Sequence, residues 1–553
     1  MRVRLHSLVL ATLVLCIWKA DSLNYCRPSM SCWPSIIELS NFKREMNATG
    51  AADVLTKDDS DWPTEGLTFN LAVTEVPGLI VYVESVDTIR KALQFATKYN
   101  IEISIISSGH SFPGRCTAKD SMQISVHKMK EITVDMGCEE NNLGCLTAQS
   151  GVQWGEVYRE ANRHSRLVVG GSNPTVSVTG WTLGGGHSPM SRMFGLGVDN
   201  VISFHLISSD LSEVWASEKG VRTKSIDGSE TSSNDTSLFW ALRGGGSAFG
   251  VIVDITFRMH MDNQIAQMAC SYPAYGDGFS ETFRVMFNSL GPLLTQAPNT
   301  FSGYILPSVG CDPVSRACGG TSVISIVHYG PSNGTADDEW IKKFTDLPHD
   351  WIASGLTNGS CFLKEYPSFY DYELSIPNVT YTAEYLGGSL VQQDLLSNSF
   401  TNTIVRHLDV AHKRAKVNPA YNLFGTAIWV GGAVKNTPVN AVPVHEGWRN
   451  AIFSLSFATI WDIRYVHTPP ALQIQGVKDL HKDLARYSHG KYYNEAEADM
   501  TPSEWKKEFW GESMYEKLLR IKKSWDPKNM FTCTECVGFD WDPVREPANG
   551  VVG

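Results

Sequence analysis

The sequence predicts an α+β protein built from two domains. The chain has 553 residues, more than one compact hydrophobic core normally contains, so two domains are expected. Residues 72–106 follow a strand–helix–strand pattern, whereas residues 263–484 carry several stretches in which apolar and polar residues alternate. The composition changes at about His260, after which aromatic residues become frequent and glycine clusters become rare. We therefore expect a first domain at 67–262 and a second at 263–484.

The first domain opens with a βαβ unit. Residues 79–83 are rich in β-branched residues, residues 86–99 have helical spacing of apolar residues, and residues 101–106 alternate as a second strand. This strand runs into a turn of small residues, which allow backbone N–H groups to point at an anion. The turn consists of Ser107, Ser108, Gly109, His110, Ser111 and Phe112.

Two further glycine-rich stretches follow, at 173–187 and 238–250. Consecutive glycines at 184–186 are unsuited to the interior of a helix or strand, so they predict an ordered turn against the core. The 244–250 stretch does not fit a dinucleotide fingerprint, because an alternating strand at 251–257 follows where the fingerprint needs a helix. NAD binding by a Rossmann unit is therefore not expected, and several separate small-residue turns fit a diphosphate better.

Alternation at 321–329, 381–385 and 423–430, with helical spacing at 395–410, predicts an antiparallel sheet backed by helices in the second domain. Such a sheet could cover a substrate pocket. Residues 479–487 begin a helical return, and residues 505–524 predict one further helix that Asp526-Pro527 ends. Residues 23–66 are interpreted as an N-terminal capping segment.

The N-terminus predicts secretion. Arg2 and Arg4 precede an apolar run at 8–18, and small residues follow at 20 and 22, which is typical of a signal peptide at 1–22. The apolar run is short for a membrane span, so a soluble secreted protein is expected. A net charge of −11 makes nucleic acid and anionic membranes poor partners. Five sequons could carry N-glycans at Asn47, Asn234, Asn333, Asn358 and Asn378.

Twelve cysteines are present. Removing Cys16 with the signal leaves an odd number, so at least one thiol should be free or intermolecular. Close spacing suggests local disulfides, while Cys116 could be a core thiol or a disulfide partner. The Cys533–Cys536 pair has no second pair to complete a zinc site, so a disulfide is favoured and no metal is expected. The other close pairs are Cys26 with Cys32, Cys138 with Cys145, and Cys311 with Cys318.

Several motifs in order resemble the berberine bridge enzyme-like FAD-linked oxidases, a group of the vanillyl-alcohol-oxidase/PCMH flavoprotein superfamily. The carrying stretches are Ser-Gly-His-Ser at 108–111, the glycine-rich 173–187, 194–200 and 238–257, Tyr-Tyr-Asn-Glu at 492–495, and 525–531. Within the group, the sequence looks most like the secreted fungal-type alcohol oxidases. The resemblance implies a PCMH-type FAD-binding domain of two subdomains, a substrate domain, and a tail at 485–553 that packs back on the first domain.

The resemblance also implies covalent FAD, attached through His110. Many members carry a second attachment through a cysteine, and Asn173 stands at that position here, so a single bond is expected. We expect a set of turn and glycine-rich residues to contact the cofactor. These are Ser107, Ser108, Gly109, His110, Ser111, Phe112, Thr179, Gly180, Leu183, Gly184, Gly185, Gly186, His187, Leu196, Asp199, Gly250, Val251 and Asn494.

For catalysis, the resemblance places Tyr492 at the substrate, and we expect it to act as the base with Lys435 stabilising its phenolate. His445 and Glu446 are the alternatives, because no carboxylate stands near Gly431-Gly432 as in the alkaloid-oxidising members. Thr182 is expected to influence oxygen access.

The expected reaction moves a hydride from a C–H bearing OH or an amine to FAD, and O2 reoxidises the flavin to give H2O2. The alternatives are a dehydrogenase with another acceptor and a flavin-carrying binding or defence protein. The substrate could be an alcohol, a sugar or a heterocycle.

Overall fold

The computed structural model describes residues 25–49, 53–60, 62, 67–275, 279–312, 315, 317–377, 382–463, 466 and 469–543. The predicted signal peptide and the sequon at Asn378 lie outside these residues. The strands are β1 Asp53–Leu55, β2 Leu79–Tyr82, β3 Ile103–Ile106, β4 Met122–Ser125, β5 Ile132–Asp135, β6 Cys145–Gln149, β7 Arg166–Leu167, β8 Val201–Ile207, β9 Glu213–Ser217, β10 Gly220–Lys224, β11 Glu230–Ser233, β12 Val251–Arg258, β13 His260–Met261, β14 Ile265–Tyr275, β15 Phe301–Cys311, β16 Cys318–Tyr329, β17 Ser360–Tyr366, β18 Ala383–Gln392, β19 Leu423–Trp429 and β20 Ala451–Trp461.

The α-helices alternate with these strands and are longest in the second half of the chain. They are α1 Ile36–Met46, α2 Val86–Tyr99, α3 Trp154–Arg163, α4 Val178–Leu183, α5 Ser191–Phe194, α6 Ser237–Leu242, α7 Phe279–Gln296, α8 Asp338–Ala353, α9 Phe369–Glu373, α10 Asn398–Val417, α11 Ala471–Leu484, α12 Pro502–Phe509 and α13 Glu512–Trp525.

The predicted βαβ unit forms as β2, α2 and β3. Helix α2 begins at Ser85, whose side chain accepts the Thr88 backbone N–H in a capping box, and it ends at Asn100 in the left-handed conformation. The four-stranded sheet has the order β1-β2-β4-β3, with β4 parallel to both β2 and β3. Strand β1 of the N-terminal segment pairs antiparallel with β2. This segment therefore supplies an edge strand to the sheet that delivers the 107–112 turn.

The second sheet has seven antiparallel strands in the order β11-β10-β9-β8-β12-β6-β5. Strand β12 lies near its centre because apolar residues fill both of its faces. Val251 and Val253 pack into the core of the first sheet, while Ile252, Ile255 and Phe257 belong to the core beneath the second sheet. The strand expected after the glycine-rich stretch therefore joins the two subdomains.

The second domain is an antiparallel sheet of seven strands, in the order β17-β14-β16-β15-β19-β20-β18. Helices α7, α8, α10 and α11 supply apolar residues to the core on one of its faces. The antiparallel sheet backed by helices that the sequence predicts is confirmed. Helix α11 starts at Ala471, earlier than expected, and packs on β18 and β20.

The tail departs from the single helix expected at 505–524. Two helices, α12 and α13, are separated at Gly511, whose φ of 78° lies in the left-handed region that favours glycine. The tail packs on the first domain: Trp510 Nε1 donates to Gly244 O at 2.9 Å, and the buried Lys522 Nζ donates to Ala248 O at 2.6 Å. The prediction of one continuous helix there was wrong.

Five disulfides are present among the described residues, and Cys116 is the free thiol. The four close pairs expected from spacing form, and Cys270–Cys361, which joins β14 to β17, could not be inferred from spacing. The sequon residues Asn47, Asn234, Asn333 and Asn358 are exposed. No helix in the described part of the chain is both long and apolar enough to span a membrane.

Candidate functional site

A cavity lies where the turn after β3, helix α4, strand β12 and the C-terminal tail meet. The residues expected at the cofactor that line it are Ser107, Ser108, Gly109, His110, Ser111, Phe112, Thr179, Gly180, Leu183, Gly250 and Asn494. Tyr492, expected at the substrate, lines it too. Further lining residues include Arg115, Cys116, Ser150, Val176, Ser177, Trp181, Ser247, Ile252, Tyr493, Glu495, Phe531 and Thr532. The cavity thus joins residues from both ends of the chain.

The 107–112 turn has the properties of an anion cradle. Among the described residues, the backbone N–H groups of Ser108, Gly109, His110 and Phe112 have no hydrogen-bond acceptor in the protein. Gly109 adopts a φ of 75°, which a residue with a side chain rarely takes. Unpaired N–H groups beside a cavity are suited to the oxygens of a diphosphate. This turn therefore fits the diphosphate of FAD.

Serine hydroxyls fix the shape of this turn. Ser107 Oγ donates to Ser150 O at 2.6 Å, and Ser108 Oγ accepts the Ser177 backbone N–H at 2.8 Å. Ser177 also caps helix α4 through the Thr179 N–H. These hydroxyls therefore hold the 107–112 turn against the glycine-rich stretch at 173–187.

His110 lies in this cavity with its ring plane fixed. The ring stacks on Phe69 at a centroid distance of 5.0 Å, and Nε2 lies 3.0 Å from Thr175 Oγ1. Thr175 Oγ1 in turn donates to Asn173 Oδ1 at 2.8 Å. Burial lowers the pKa of His110 to about 4, so the imidazole is neutral at ordinary pH. A neutral imidazole has the lone pair that a nucleophile needs.

Tyr492 and Asn494 lie at the other end of the cavity. Asn494 Nδ2 donates to the Tyr492 hydroxyl at 2.8 Å, and the backbone N–H groups of Gly186 and His187 also donate to it. Burial, followed by the negative charge of Glu495, nevertheless raises the pKa of Tyr492 well above its ordinary value. The phenol therefore stays protonated near neutral pH, which argues against its expected role as a base.

The three consecutive glycines pack against protein rather than lining the cavity. A Cβ on Gly184 would lie 2.4 Å from the Asn494 amide oxygen, and one on Gly186 would lie 2.5 Å from the Trp181 ring. Gly185 has a φ of 116° and faces Val444. Gly184, Gly185 and Gly186 form the ordered turn expected there, and their lack of side chains lets Asn494, Tyr492 and Trp181 approach.

The side chains of His187 and Glu495 contact each other at this end of the cavity. His187 Nε2 lies 2.9 Å from Glu495 Oε1, and only Glu495 of the two lines the cavity. The His187 ring lies 4.8 Å from the Tyr492 ring. Nearby, burial and then the charge of Glu495 raise the pKa of Glu384 to about 8. Glu384 is therefore protonated at neutral pH.

Lys435 lies outside the cavity. It is exposed, and its Nζ donates to Gln393 Oε1 at 2.5 Å. The hydroxyl of Tyr492 is bonded instead to Asn494 and backbone N–H groups. The expectation that Lys435 stabilises a Tyr492 phenolate is therefore wrong. The alternatives fare no better, because His445 Nδ1 accepts the Gly447 N–H and the half-exposed Glu446 faces His489.

Three residues expected to contact the cofactor have other roles. Asp199 binds Arg449 at 3.1 Å and accepts the Leu196 N–H. Leu196 packs in the same buried apolar cluster as Tyr492, and Val251 is buried in the core of the first sheet. Thr182 is also buried, and its Oγ1 donates to Val178 O within helix α4. None of these four residues lines the cavity, whereas Leu183, the neighbour of Thr182, does.

Two charged lining residues were not expected from the sequence. Arg115 lies two residues after the Phe112-Pro113 turn, and its guanidinium stacks over Tyr493 at 3.7 Å. Glu495 directly follows the Tyr-Tyr-Asn motif. Its position next to Asn494 in the sequence was the one signal that it could lie at the site. The local sequence pattern did not show that it would contact His187, 308 residues earlier.

Comparisons with known proteins agree with this site. Residues 77–216 match the family described as FAD binding domain, and residues 491–537 match the family described as berberine and berberine like. A VAO-type flavoprotein oxidase of Thermothelomyces thermophilus is 26% identical over 484 residues, covering 84% of this chain and 77% of its own. An uncharacterized FAD-linked oxidoreductase of Arthroderma benhamiae is 27% identical over 492 residues, with 84% and 78% covered.

Solved structures share the fold. A VAO-type flavoprotein of Myceliophthora thermophila matches with a TM-score of 0.72 and 20% identity over 93% of this chain and 97% of its own. The glucooligosaccharide oxidase of Acremonium strictum matches with a TM-score of 0.71 and 21% identity over 90% and 99%. The fold, the cavity and these matches define an FAD-linked oxidoreductase. Residues 77–216 and 491–537 thus match the FAD binding domain and the berberine-like family, and the chain is similar over most of its length to FAD-linked oxidoreductases.

Proposed function

We propose that this protein is a secreted oxidase that binds FAD covalently through His110 and oxidises a C–H bearing a hydroxyl or amine group. The observation that carries the proposal is the continuous cavity between the unpaired N–H groups of the 107–112 turn and the Tyr492–Asn494–Glu495 segment. FAD bound there would accept a hydride from the substrate and pass two electrons to O2, which leaves as H2O2. The residues of the chain then have to bind, orient and deprotonate the substrate.

His110 is the residue for the covalent bond. It lies in the cavity, is neutral, and is held in one orientation by Phe69 and Thr175. The glucooligosaccharide oxidase of Acremonium strictum, which shares the fold, has a 6-S-cysteinyl, 8α-N1-histidyl FAD. Asn173 carries no thiol, so we propose the histidyl bond alone for this chain.

Glu495 is our candidate for the group that receives the substrate proton. Among the described residues it is the carboxyl side chain that lines the cavity, and His187 Nε2 lies 2.9 Å from one of its oxygens. Tyr492 is too strongly disfavoured as a phenolate for this role. We retain Tyr492 as a neutral phenol that orients the substrate.

Apolar side chains surround Tyr492 on the side of the second domain. Leu390, Ile428, Val444 and Trp448 form one buried cluster with it. This cluster supports Tyr492 from behind, and the rings of Phe112, Trp181 and Tyr492 line the cavity itself. A substrate with an apolar or ring-shaped body fits such a lining better than a highly charged one. Neutral alcohols and neutral oligosaccharides are therefore the first substrates to test.

The test is a substrate panel under anaerobic conditions, followed by air. A substrate should bleach the flavin absorbance without oxygen, and air should restore it with one H2O2 for each substrate oxidised. Bleaching that air restores no faster than for free reduced flavin would indicate a dehydrogenase with another acceptor. A flavin that no alcohol, amine or sugar bleaches would favour a binding protein.

Secretion and glycosylation are part of the same proposal. Five disulfides and four exposed sequons among the described residues support an oxidising, extracellular location. Treatment of the secreted protein with an N-glycosidase should lower its mass.

A further inference from the structure

We propose that Asn173 and Thr175 select the tautomer of His110, so that Nδ1 carries the lone pair that forms the bond to FAD. The family resemblance places Asn173 where many members carry a second attachment residue, and its contact with Thr175 points to a different task here. The inference rests on the proposed covalent attachment and concerns how this chain achieves it.

The orientation of the Asn173 amide is fixed by the backbone. The backbone N–H of Thr175 donates to Asn173 Oδ1 at 3.0 Å. A backbone N–H can only donate, so the atom that it meets must be the amide oxygen rather than the amide nitrogen. The Asn173 side chain therefore presents an acceptor to its surroundings at this point.

The orientation of the Thr175 hydroxyl follows from that of the amide. Thr175 Oγ1 lies 2.8 Å from the same Asn173 Oδ1. Because an amide oxygen only accepts, the hydroxyl proton of Thr175 must point towards it. The remaining lone pairs of Thr175 Oγ1 are then free to accept a hydrogen bond from another group.

That other group is His110. Its Nε2 lies 3.0 Å from Thr175 Oγ1, which accepts, so Nε2 must carry the proton. Nδ1 has no hydrogen-bond partner among the described residues, and in a neutral imidazole with a proton on Nε2 it holds the lone pair. Phe69 stacks on one face of the ring and limits its rotation, so Nε2 stays beside Thr175.

The bonding step is balanced as follows. A bond forms between Nδ1 and the C8-methyl carbon of FAD, and one C–H bond of that methyl group breaks. The methyl proton, the Nε2 proton and the two electrons of the C–H bond pass to the flavin ring. Dioxygen then takes two electrons and two protons and leaves as H2O2. Nε2 is now without a proton, and the Thr175 hydroxyl can turn from Asn173 to donate to it.

Matched variants separate this role from simple packing. Thr175→Val keeps the shape of the side chain but removes the acceptor, whereas Thr175→Ser keeps the hydroxyl. Asn173→Ala frees the hydroxyl proton to donate to Nε2, which favours the tautomer with the proton on Nδ1, whereas Asn173→Asp keeps an acceptor. Each secreted protein is assayed for total flavin per chain, for the fraction of chains whose mass includes FAD after denaturation, and for the bonded nitrogen by NMR of the flavin peptide.

The wild-type, Thr175→Ser and Asn173→Asp proteins should be attached through Nδ1. For Thr175→Val and Asn173→Ala we expect attachment to slow by about tenfold, the scale of one hydrogen bond, with part of the remaining bond at Nε2. Total bound flavin should change little. If the Thr175→Val protein binds no flavin at all, the Asn173→Ala protein provides the same test.

A wild-type bond through Nε2, or Thr175→Val and Asn173→Ala proteins attached as completely and through the same nitrogen as wild type, would overturn the inference. Wild-type protein that carries flavin but no covalent bond would instead remove the proposed attachment itself, and this inference with it.

Discussion

The guanidinium of Arg115 lies 2.8 Å from the carboxylate of Glu535, and both side chains are buried. The pair joins the segment that follows the His110 turn to the C-terminal tail, across 420 residues of sequence. Arg115 also donates to Tyr493 O at 2.5 Å. The buried Arg115 thus connects the segment after the His110 turn to the C-terminal residues that line the same cavity.

Removing this contact should destabilise the protein. Arg115→Met leaves Glu535 buried without its partner, and breaking a buried pair in this way costs about 3–5 kcal/mol. The double variant Arg115→Met/Glu535→Gln should recover much of the loss, because no unpaired carboxylate remains. Denaturant unfolding measures both, and a single variant as stable as wild type would show that the pair does not hold the tail.

The stability lost in the Arg115→Met variant should depend on pH. Burial already raises the pKa of Glu535 to about 7, although Arg115 opposes this. Since the folded pKa lies above the ordinary value, the stability from the protonated carboxyl is complete below about pH 4.5 and is lost as pH rises through about 7. Without Arg115 the folded pKa rises further. The stability gap between Arg115→Met and wild type should therefore widen from pH 5 to pH 8, which unfolding curves at several pH values will show.

Two glycines in one short stretch offer a steric test. Gly184 has an ordinary φ, so Gly184→Ala adds only a methyl group, which would lie 2.4 Å from the Asn494 amide. We expect a loss of about 1–3 kcal/mol, the usual cost of overpacking. A Cβ on Gly180 would meet nothing within 4 Å, so Gly180→Ala should unfold at the wild-type temperature or slightly above. Equal stability of the two variants would contradict the packing role of Gly184.

Much of this arrangement could be predicted from the sequence. The alternation of residues in β12, the spacing in α2 and the small residues at 107–112 are local signals, and each gave the correct element. Contacts between distant segments could not be predicted from such signals. The pairing of Glu495 with His187 and of Lys435 with Gln393 depends on how the tail and the second sheet meet the first domain. The raised pKa of Tyr492 could not be predicted either, because the burial that causes it is a property of the assembled core.

Glu495 and Tyr492 should differ in their kinetic effects. Glu495→Gln removes the proposed proton acceptor, so flavin reduction should slow by on the order of a hundredfold or more. Glu495→Asp, which keeps the carboxylate, should retain a larger part of the rate. Tyr492→Phe should slow reduction by about tenfold, the scale of one orienting hydrogen bond, and keep the pH profile. Rapid-mixing measurements of flavin reduction distinguish the two residues. A hundredfold slower rate in Tyr492→Phe, together with a wild-type rate in Glu495→Gln, would identify Tyr492 as the base instead.

Attachment of FAD should also depend on pH in a defined way. Burial lowers the pKa of His110 to about 4. Above that value the imidazole is neutral and Nδ1 has its lone pair, while below it the imidazolium has none. The attachment rate of non-covalently loaded protein should therefore be constant from about pH 6 to 8 and fall below about pH 5. A rate that falls instead around the ordinary histidine pKa of about 6.5 would mean that the ring is hydrated.

The chemistry proposed for this protein depends on His110 being bonded to the flavin in this cavity. Mass spectrometry of the denatured secreted protein tests this directly, with His110→Ala as the comparison. We predict that the wild-type chain carries the mass of one FAD, located on the peptide that contains residue 110, and that the variant carries none while its fold is retained. A wild-type chain without the added mass, or a His110→Ala chain that still carries it, would contradict the proposed bond.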